Sequence, residues 1–359
     1  MKKILFLVPY PENKAPSQRL KFEQYFDHIK DAGYEITIHS FIDESFWEIL
    51  YTKGNLLKKI LFSVKAYFKR YLFLFKIRKF DIVYCHLWMT PHGYPVYERL
   101  AILLSKSLIF DIDDLIFLGH SSNANRFFQF LKGRNKTIYL MKKSDHVITC
   151  TPHLDSFVRK FNINTTDISS TINTETYIPI NKYLNNKKLV VGWSGSHSTS
   201  KYVHILGNVL KDISSIYNIE IHIIGDQHFQ IRGLSNLKAY AWKEEDEVER
   251  LQKFDIGIYP LPDEEWVLGK SGLKALQYMA LGIPTIATAI GANYRVIENE
   301  VSGILVKNED EWKEALIRYI ENPELRKEHG TEARKRVEKY YSIKANAPKY
   351  LQILKNLKT

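Results

Sequence analysis

Cysteine is nearly absent from this sequence: among 359 residues only Cys85 and Cys150 occur, and they lie far apart. Two isolated cysteines form neither a disulfide framework nor a metal-ligand spacing, and they favour a reducing compartment. Apolar runs are short as well, because no window approaches the roughly 18 uninterrupted apolar residues of a membrane-spanning helix. The composition therefore predicts a folded cytoplasmic protein that is soluble or attached only to a membrane surface.

Two common nucleotide-binding motifs are also missing. No G-x-G-x-x-G follows the first predicted strand, where the turn reads YPENKAPSQRL, so a dinucleotide dehydrogenase is poorly supported. The tripeptide GKS at 269–271 lacks the glycine of a P-loop five residues earlier, because that position is Glu264. The opening MKKILFLVPYP has a proline after a short apolar run and no small-residue cleavage site, so it favours a first strand over a signal peptide.

Acidic residues are missing from residues 49–80, although this segment carries nine of the lysines and arginines behind the net charge of +11. On a helix that turns about 100° per residue, four lysines fall on one line and apolar residues cluster on the opposite side. The lysines are Lys58, Lys65, Lys69 and Lys76, and the opposite side carries Ile60, Val64, Tyr67, Phe68, Tyr71 and Phe75.

A basic amphipathic helix with aromatic residues is typical of proteins that lie on anionic membranes. A solvated basic face is the alternative. Nucleic acid is not an expected partner, because no nucleic-acid-binding module accompanies the lysines. The apolar side either packs on its own domain or contacts lipid, and if it packs inward the attachment must be mainly electrostatic.

Strand-like and helix-like runs alternate along the chain. The strand-like runs are ILFLVP, YEITIHSF, FDIVYCHL, LIFDIDD and HVITCT, and then LVVGWSG, IEIHIIGD, LKAYAW, DIGIYP, PTIATA and SGILV. Such alternation predicts an α/β fold with parallel sheets, and the length suits two domains. The polar stretch PINKYLNNKK separates the two series, so we expect domains over 1–183 and 188–340, followed by a helical tail.

Two stretches of the second half have the composition of an anion-binding site. In VVGWSGSHSTSKYV, Gly195 and Ser196 lie between a strand and a helix, and Lys201 follows. Backbone N–H groups at a helix start, together with small residues that allow close approach, suit a phosphate group. A plain strand-to-helix turn also prefers glycine and serine, so both interpretations stay open.

The second stretch, GKSGLKALQYMALGIPTIAT, reads as the end of a loop, a short helix and a buried strand. Ser271 is the expected N-cap, and Gly282 is the expected stop of the helix. The spacing of Lys270, Lys274 and Gln277 places them roughly on one face, which would suit a diphosphate and its sugar. A solvated lysine face is the alternative.

The stretch FDIDDLIF carries Asp111, Asp113 and Asp114 at the end of a predicted strand. Closely spaced aspartates can hold a divalent metal ion. In a two-domain βα pattern, Asp113 at the carboxyl end of a sheet is better interpreted as a polar active-site group, with capping of the next turn as the alternative. We therefore expect no metal site.

In order and spacing, residues 190–345 resemble the retaining glycosyltransferases of family four, which have the GT-B fold. The resemblance is carried by GWSGSHSTSKY, IHIIGD, WKEEDEVERLQKFDIGIYP, GKSGLKALQYMALGIPTIAT and GANYRVIENEVSGILV, and more weakly by APSQRLKFEQY and FDIDDLIF. It implies two Rossmann-like domains that face each other across a cleft. It also implies that a C-terminal helix at 344–357 packs back on the first domain.

The resemblance further implies roles for individual residues. Asp113 stands where many members carry a histidine and is the expected catalytic group, while Ser17 and Arg19 lie on the acceptor side. The expected donor-binding residues are Gly195, Ser196, Lys201, Lys270, Ser271, Gly272, Leu273, Lys274 and Gln277. The family's two glutamates are replaced by Gly269 and Gln277, so an amide stands where an acid normally holds the nucleotide ribose.

The expected function is transfer of a sugar, of the hexosyl type, from a nucleotide diphosphate sugar to a glycan or lipid-linked acceptor, with retention of configuration. No metal or other cofactor is expected, and the role would be in cell-envelope polysaccharide or glycoconjugate synthesis. The expected partners are the nucleotide sugar, the acceptor and the anionic inner face of the cell membrane. A sugar-nucleotide epimerase of the same fold and a catalytically inactive partner subunit are the alternatives.

Overall fold

The chain divides into two compact units. The computed structural model describes residues 1–50, 52, 54–113, 115, 134–180 and 188–358. Unit 1 comprises Met1–Ser170 and Asn346–Thr359, and unit 2 comprises Thr171–Ala345. The sequence placed the division within 179–188, of which residues 181–187 lie outside the described part of the chain.

Unit 1 is built on a parallel sheet of six described strands. They are β1 (Lys2–Val8), β2 (Tyr34–Ser40), β3 (Ile82–His86), β4 (Leu108–Asp111), β5 (His146–Thr149) and β6 (Thr165–Asp167). Their order is β2-β1-β3-β4-β5-β6, and every pair is parallel. Strands β1, β3 and β4 are almost wholly buried, as continuous apolar runs in a parallel sheet covered on both faces should be.

Helices connect these strands. Unit 1 contains α1 (Pro16–Arg19), α2 (Phe26–Asp31), α3 (Glu44–Leu50), α4 (Leu56–Leu74), α5 (Val96–Leu104), α6 (Arg134–Lys143) and α7 (Pro152–Val158), with 3₁₀ turns at Glu23–Tyr25 and Ile77–Lys79. The C-terminal segment also belongs to this unit: the Tyr350 hydroxyl donates to the carbonyl of Lys21 at 3.3 Å, and the Ser107 hydroxyl donates to the carbonyl of Lys358 at 2.6 Å.

Unit 2 repeats the plan. Its strands are β7 (Leu189–Ser194), β8 (Ile219–Ile224), β9 (Leu237–Tyr240), β10 (Ile256–Tyr259), β11 (Thr285–Thr288) and β12 (Ile304–Val306). They form a parallel sheet in the order β12-β11-β10-β7-β8-β9. The prediction of an α/β protein with two Rossmann-like parallel sheets is confirmed.

The helices of unit 2 are α8 (His197–Ser200), α9 (Gly207–Ile216), α10 (Glu247–Leu251), α11 (Leu273–Ala280), α12 (Asn293–Val296), α13 (Glu309–Glu321) and α14 (Pro323–Tyr340), with 3₁₀ turns at Lys201–Leu206 and Glu265–Gly269. Helix α15 (Ile343–Asn356) begins at the end of unit 2, and its remainder belongs to unit 1. The stretch quoted above as a loop, a short helix and a strand contains α11 and β11, as predicted.

Candidate functional site

The strand order of unit 2 reverses between β7 and β10. The chain runs from β7 to β8 and β9 on one side, and then returns to β10 on the other side of β7. Ligands of open parallel sheets bind outside the carboxyl ends of the strands at such a point. In this unit those ends carry two buried aromatic side chains, Trp193 on β7 and Tyr259 on β10.

Lys274, the second residue of α11, reaches this aromatic pair. Its Nζ lies 5.7 Å from the ring centres of both Trp193 and Tyr259. Gly195 allows the approach, because a Cβ there would lie 2.4 Å from Cε of Lys274 and 2.5 Å from the ring of Trp193. The glycine predicted to let a ligand come close is therefore needed, at the least, to let the lysine come close.

Two more lysines stand on aromatic rings. Lys270 Nζ lies 5.3 Å from the ring centre of Trp266, and Lys201 Nζ lies 5.3 Å from that of Tyr202. These two rings are themselves 5.4 Å apart. Lys270 precedes α11 in an extended conformation, so its position comes from the loop and not from the helical spacing that the sequence suggested.

The surroundings of Lys274 disfavour the charge on its ammonium group. Burial and, after it, the charge of Lys270 lower its pKa to about 8. Lys270 and Lys274 repel each other, so a single anion bound near both would stabilise both of their charges. Perturbed groups of this kind cluster at functional sites.

The start of α11 offers backbone donors to the same position. Its N-cap is Gly272, which has a left-handed φ of +78°, so the prediction of Ser271 as N-cap is wrong. A glycine supplies no capping side chain, and the first N–H groups of a helix, here those of Leu273 and Lys274, have no partner within the helix. They favour an anion at this end. The helix ends before Gly282, at φ +68°, as predicted.

In the turn after β7, one backbone amide differs from the predicted phosphate-binding arrangement. The amide of Gly195 donates to the carbonyl oxygen of Ile224 at 2.9 Å, so its interpretation as a free phosphate donor is wrong. Ser196 is the N-cap of α8, and its hydroxyl contacts those of Ser198 and Thr199 at 2.9 and 3.1 Å. The phosphate contact of Ser196 stays a prediction.

Gln277 is almost fully buried, with 5% of its surface exposed. Its amide nitrogen donates to the hydroxyl of Tyr177 at 2.9 Å and to Oε1 of Glu247 at 3.1 Å. The next residue, Tyr278, accepts a 2.7 Å hydrogen bond from the amide of Ser194 and so fixes the end of β7. The contact of Gln277 with ribose stays a prediction, but the structure gives this amide a specific set of partners.

In unit 1, Asp111 and Asp113 have different surroundings at the end of β4. Asp111 is fully buried, with Lys21 Nζ 3.3 Å from its Oδ1 and His86 Nδ1 2.8 Å from its Oδ2. Burial raises the pKa of Asp111, but the two basic neighbours outweigh it and hold the pKa below its usual range. Asp113 is partly exposed, and Asp114 lies outside the described residues.

The acceptor-side prediction concerns the turn after β1. Ser17 and Arg19 lie on α1 and are partly exposed. Between them, the buried Gln18 donates through Nε2 to the carbonyl of Tyr10 at 3.1 Å and to Oε1 of Glu23 at 2.9 Å. This bonding fixes the turn beside the point where the strand order of unit 1 reverses, between β1 and β3. The roles of Ser17, Arg19 and Asp113 stay predictions.

Helix α4 has an inner side, a basic side and an outward apolar side. Ala66, Arg70 and Leu74 are buried against unit 1. Lys58, Lys65 and Lys69 on the helix, and Lys76 just after its end, are exposed, although Lys69 pairs with Asp43 at 3.0 Å. Outward apolar residues, here called the apolar strip, are between 41% and 78% exposed: Leu56, Leu57, Ile60, Leu61, Val64, Phe68, Tyr71, Leu72 and Phe75.

The exposure of the apolar strip shows that this side of α4 faces away from its own unit. Of the six apolar residues named from the sequence, only Tyr67 is turned inward, where its hydroxyl donates to the carbonyl of His92 at 3.2 Å. No helix within the described part of the chain is both long enough and apolar enough to span a membrane.

Several residues of the site were not found from the sequence. Trp193, Tyr259, Trp266 and Tyr202 support the lysines, and Glu247 bonds to Gln277. A cavity of about 450 Å³ lies beside β9 and is lined by residues 227, 229–234, 237 and 239, none of which was predicted as a site residue.

The family model that matches this chain covers a part of unit 2. Residues 188–322 match the model of the family described as "Glycosyl transferases group 1". A trehalose synthase of Pyrococcus horikoshii is 33% identical over 87 residues, which are 24% of this chain and only 21% of that protein. An uncharacterized glycosyltransferase of Methanocaldococcus jannaschii is 25% identical over 326 residues, which are 87% of this chain and 86% of that one.

Solved structures share the whole fold at low identity. A sucrose-phosphate synthase from Thermosynechococcus elongatus has a TM-score of 0.70 at 15% identity, covering 99% of this chain and 98% of that one. The Anabaena protein HepE, solved with UDP and glucose, has a TM-score of 0.70 at 14% identity, covering 99% of this chain and 100% of that one. The predicted resemblance to glycosyltransferases of the GT-B fold is confirmed.

Proposed function

We propose that this chain, whose residues 188–322 match the group 1 glycosyltransferases, takes a sugar from a nucleotide diphosphate sugar and transfers it with retention of configuration. Unit 2 binds the donor in this proposal. The observation that carries it is the position of Lys274 over Trp193 and Tyr259, at the reversal of strand order and at the uncapped start of α11.

The chemistry of that position suits a leaving diphosphate. As the glycosidic bond breaks, negative charge grows on the diphosphate, and cations fixed in advance stabilise it without reorganising. Lys274 and Lys270 supply the charge, Lys201 adds a more exposed cation, and the first N–H groups of α11 supply oriented donors. A metal ion has no required part in this scheme, because the lysines neutralise the charge that a metal would neutralise elsewhere.

We place the acceptor on unit 1, with Asp113 as its catalytic group and Ser17 and Arg19 as contacts. Helix α4 supports an acceptor that is carried by a membrane, such as a lipid-linked glycan of the cell envelope. Its exposed lysines suit anionic lipid headgroups, and the apolar strip suits the acyl boundary beneath them. The HepE structure was solved with UDP and glucose, which supports a sugar donor of this class.

Hydrolysis of a panel of labelled nucleotide sugars tests the proposal. We expect one or a few of them to be cleaved slowly in the absence of acceptor, with release of a nucleoside diphosphate. Interconversion of the sugar without cleavage would identify an epimerase instead. Binding without any turnover, even with added membrane extract, would favour a catalytically inactive partner subunit.

The same assay with EDTA tests metal independence. Turnover is expected to be unchanged, because the buried carboxylate of Asp111 is occupied by Lys21 and His86 and offers no ligand to a metal. Loss of turnover in EDTA and its recovery with magnesium or manganese would contradict this and make Asp113 and Asp114 candidate ligands.

Nucleoside diphosphate affinity is expected to depend on pH through Lys274. With a pKa of about 8, this lysine is charged below that pH and neutral above it, so affinity should fall as the pH rises from about 7 to about 9.5. Calorimetric titrations over this range measure the effect. A Lys274→Arg variant is the control, because a guanidinium stays charged and should give a flatter profile. Equal slopes for the two proteins would mean that another group titrates.

A further inference from the structure

A polar cluster lies buried around Gln277 in unit 2. Glu247, on α10, accepts hydrogen bonds from three donors: Trp242 Nε1 at 2.9 Å, Tyr177 Oη at 2.9 Å and Gln277 Nε2 at 3.1 Å. Gln277 Nε2 donates also to the hydroxyl of Tyr177 at 2.9 Å. Tyr177, Glu247 and Gln277 are each at most 9% exposed.

The two hydrogens of the Gln277 amide are both used by these bonds. An amide nitrogen has two donors, and here one points to Tyr177 and the other to Glu247. The amide is therefore held in one orientation, and the group it has left to offer is the carbonyl oxygen, which is an acceptor. A sugar hydroxyl donates to such an oxygen as it would to a carboxylate.

The presence of Glu247 also explains why residue 277 is not an acid. A carboxylate there would place two negative groups about as close as the present 3.1 Å contact, and one would have to take up a proton. With an amide at 277, a single buried charge at Glu247 is satisfied by three donors.

We propose that Glu247 is a positioning residue that orients the Gln277 amide, so that its carbonyl oxygen accepts a hydrogen bond from a ribose hydroxyl of the donor nucleotide. This inference rests on the proposed function, since it needs a nucleotide in unit 2. Residue 277 lacks the acid that the resemblance led us to expect, and the buried acid that bonds to its amide is Glu247, on α10.

Discrimination between UDP and 2′,3′-dideoxy-UDP is the readout, because it isolates the ribose hydroxyls. The full-length parent should bind UDP about tenfold or more tightly than the dideoxy analogue, as a hydrogen bond of this kind contributes. In Glu247→Gln, which has nearly the same shape, this ratio should fall several-fold while affinity for the dideoxy analogue is retained. Other nucleoside diphosphates and their dideoxy forms are used if the parent prefers another base.

A charge exchange completes the test. Gln277→Glu should lower Tm, because two acids then adjoin. The double variant Glu247→Gln with Gln277→Glu restores one acid and one amide, so it should regain most of the lost Tm. Tyr177→Phe, which removes one anchor of the amide, should reduce the ratio as well.

The outcomes distinguish failure of the proposed function from failure of the positioning role of Glu247. If the parent binds no nucleoside diphosphate at all, the proposed function itself fails. If the parent prefers UDP but Glu247→Gln keeps the same ratio, or weakens both ligands equally, Glu247 has no positioning role. If Gln277→Glu does not fold, Glu247→Gln and Tyr177→Phe still decide the matter.

Discussion

Replacing Lys270 and Lys274 together by alanine is expected to remove most of the affinity for nucleoside diphosphates. A charge-assisted hydrogen bond contributes about 1–3 kcal/mol, so each single variant should lose roughly tenfold to a hundredfold, and the double variant more. The losses should not simply add, because the two ammonium groups already repel each other in the free protein. Titration calorimetry with the nucleotides that bind the parent measures them.

Matched variants separate loss of charge from loss of fold. Lys253→Ala removes an exposed lysine of unit 2 that pairs with Glu249, and it should leave affinity unchanged. Lys274→Met keeps the apolar volume over Trp193, so it should lose as much affinity as Lys274→Ala while raising Tm. The pKa of Lys274 lies below that of an unfolded lysine, so its charge destabilises the fold below about pH 8 and the penalty is relieved as the pH rises further. Unchanged affinity in the double variant would remove the basis of the donor site.

Charge reversal on α4 and at Lys76, just after its end, is expected to abolish most binding to anionic vesicles. Each lysine near such a surface contributes about 1 kcal/mol, so Lys58→Glu, Lys65→Glu and Lys76→Glu together should lower the partition coefficient roughly a hundredfold or more at low salt. Lys69 is left in place because it pairs with Asp43. Co-sedimentation with vesicles of graded phosphatidylserine content measures the change.

The apolar strip should contribute independently of charge. Leu57→Ser, Leu61→Ser and Phe68→Ser should weaken vesicle binding even at high salt, since fully burying such a side chain contributes about 1.5–3 kcal/mol. Lys327→Glu, Lys335→Glu and Lys339→Glu on α14 change the net charge equally and serve as control. Equal binding by the α4 and α14 charge variants, or no binding by the parent, would leave α4 as a solvated face.

The architecture could be predicted from the sequence because its signal is local. Apolar runs such as ILFLVP and IEIHIIGD each fill one strand of a parallel sheet, and the intervening segments supply the helices. The orientation of α4 could not be predicted in this way. Its periodicity showed a basic side and an apolar side, but the side that packs, around Ala66 and Arg70, lies between them.

Residues of the candidate site could be predicted from the sequence only where the side chain itself, such as a cation, suits the ligand. Lys270 and Lys274 were predicted as donor-binding residues because cations near a helix start suit an anion. The steric role of Gly195 and the aromatic support of the lysines depend on contacts between distant segments. Gln277 and Tyr177 are 100 residues apart, so no local pattern relates them, and the acid at Glu247 looked like one of several on a solvated helix.

Amide hydrogen exchange of the full chain, measured with and without saturating nucleoside diphosphate, tests the central claim most directly. Slower exchange is expected at the start of α11, around Leu273 and Lys274, and in the turn around Ser196, while the exchange rates of unit 1 up to Ser170 should not change. Protection confined to 227–239, beside the 450 Å³ cavity, or confined to unit 1, would contradict it and place the nucleotide elsewhere.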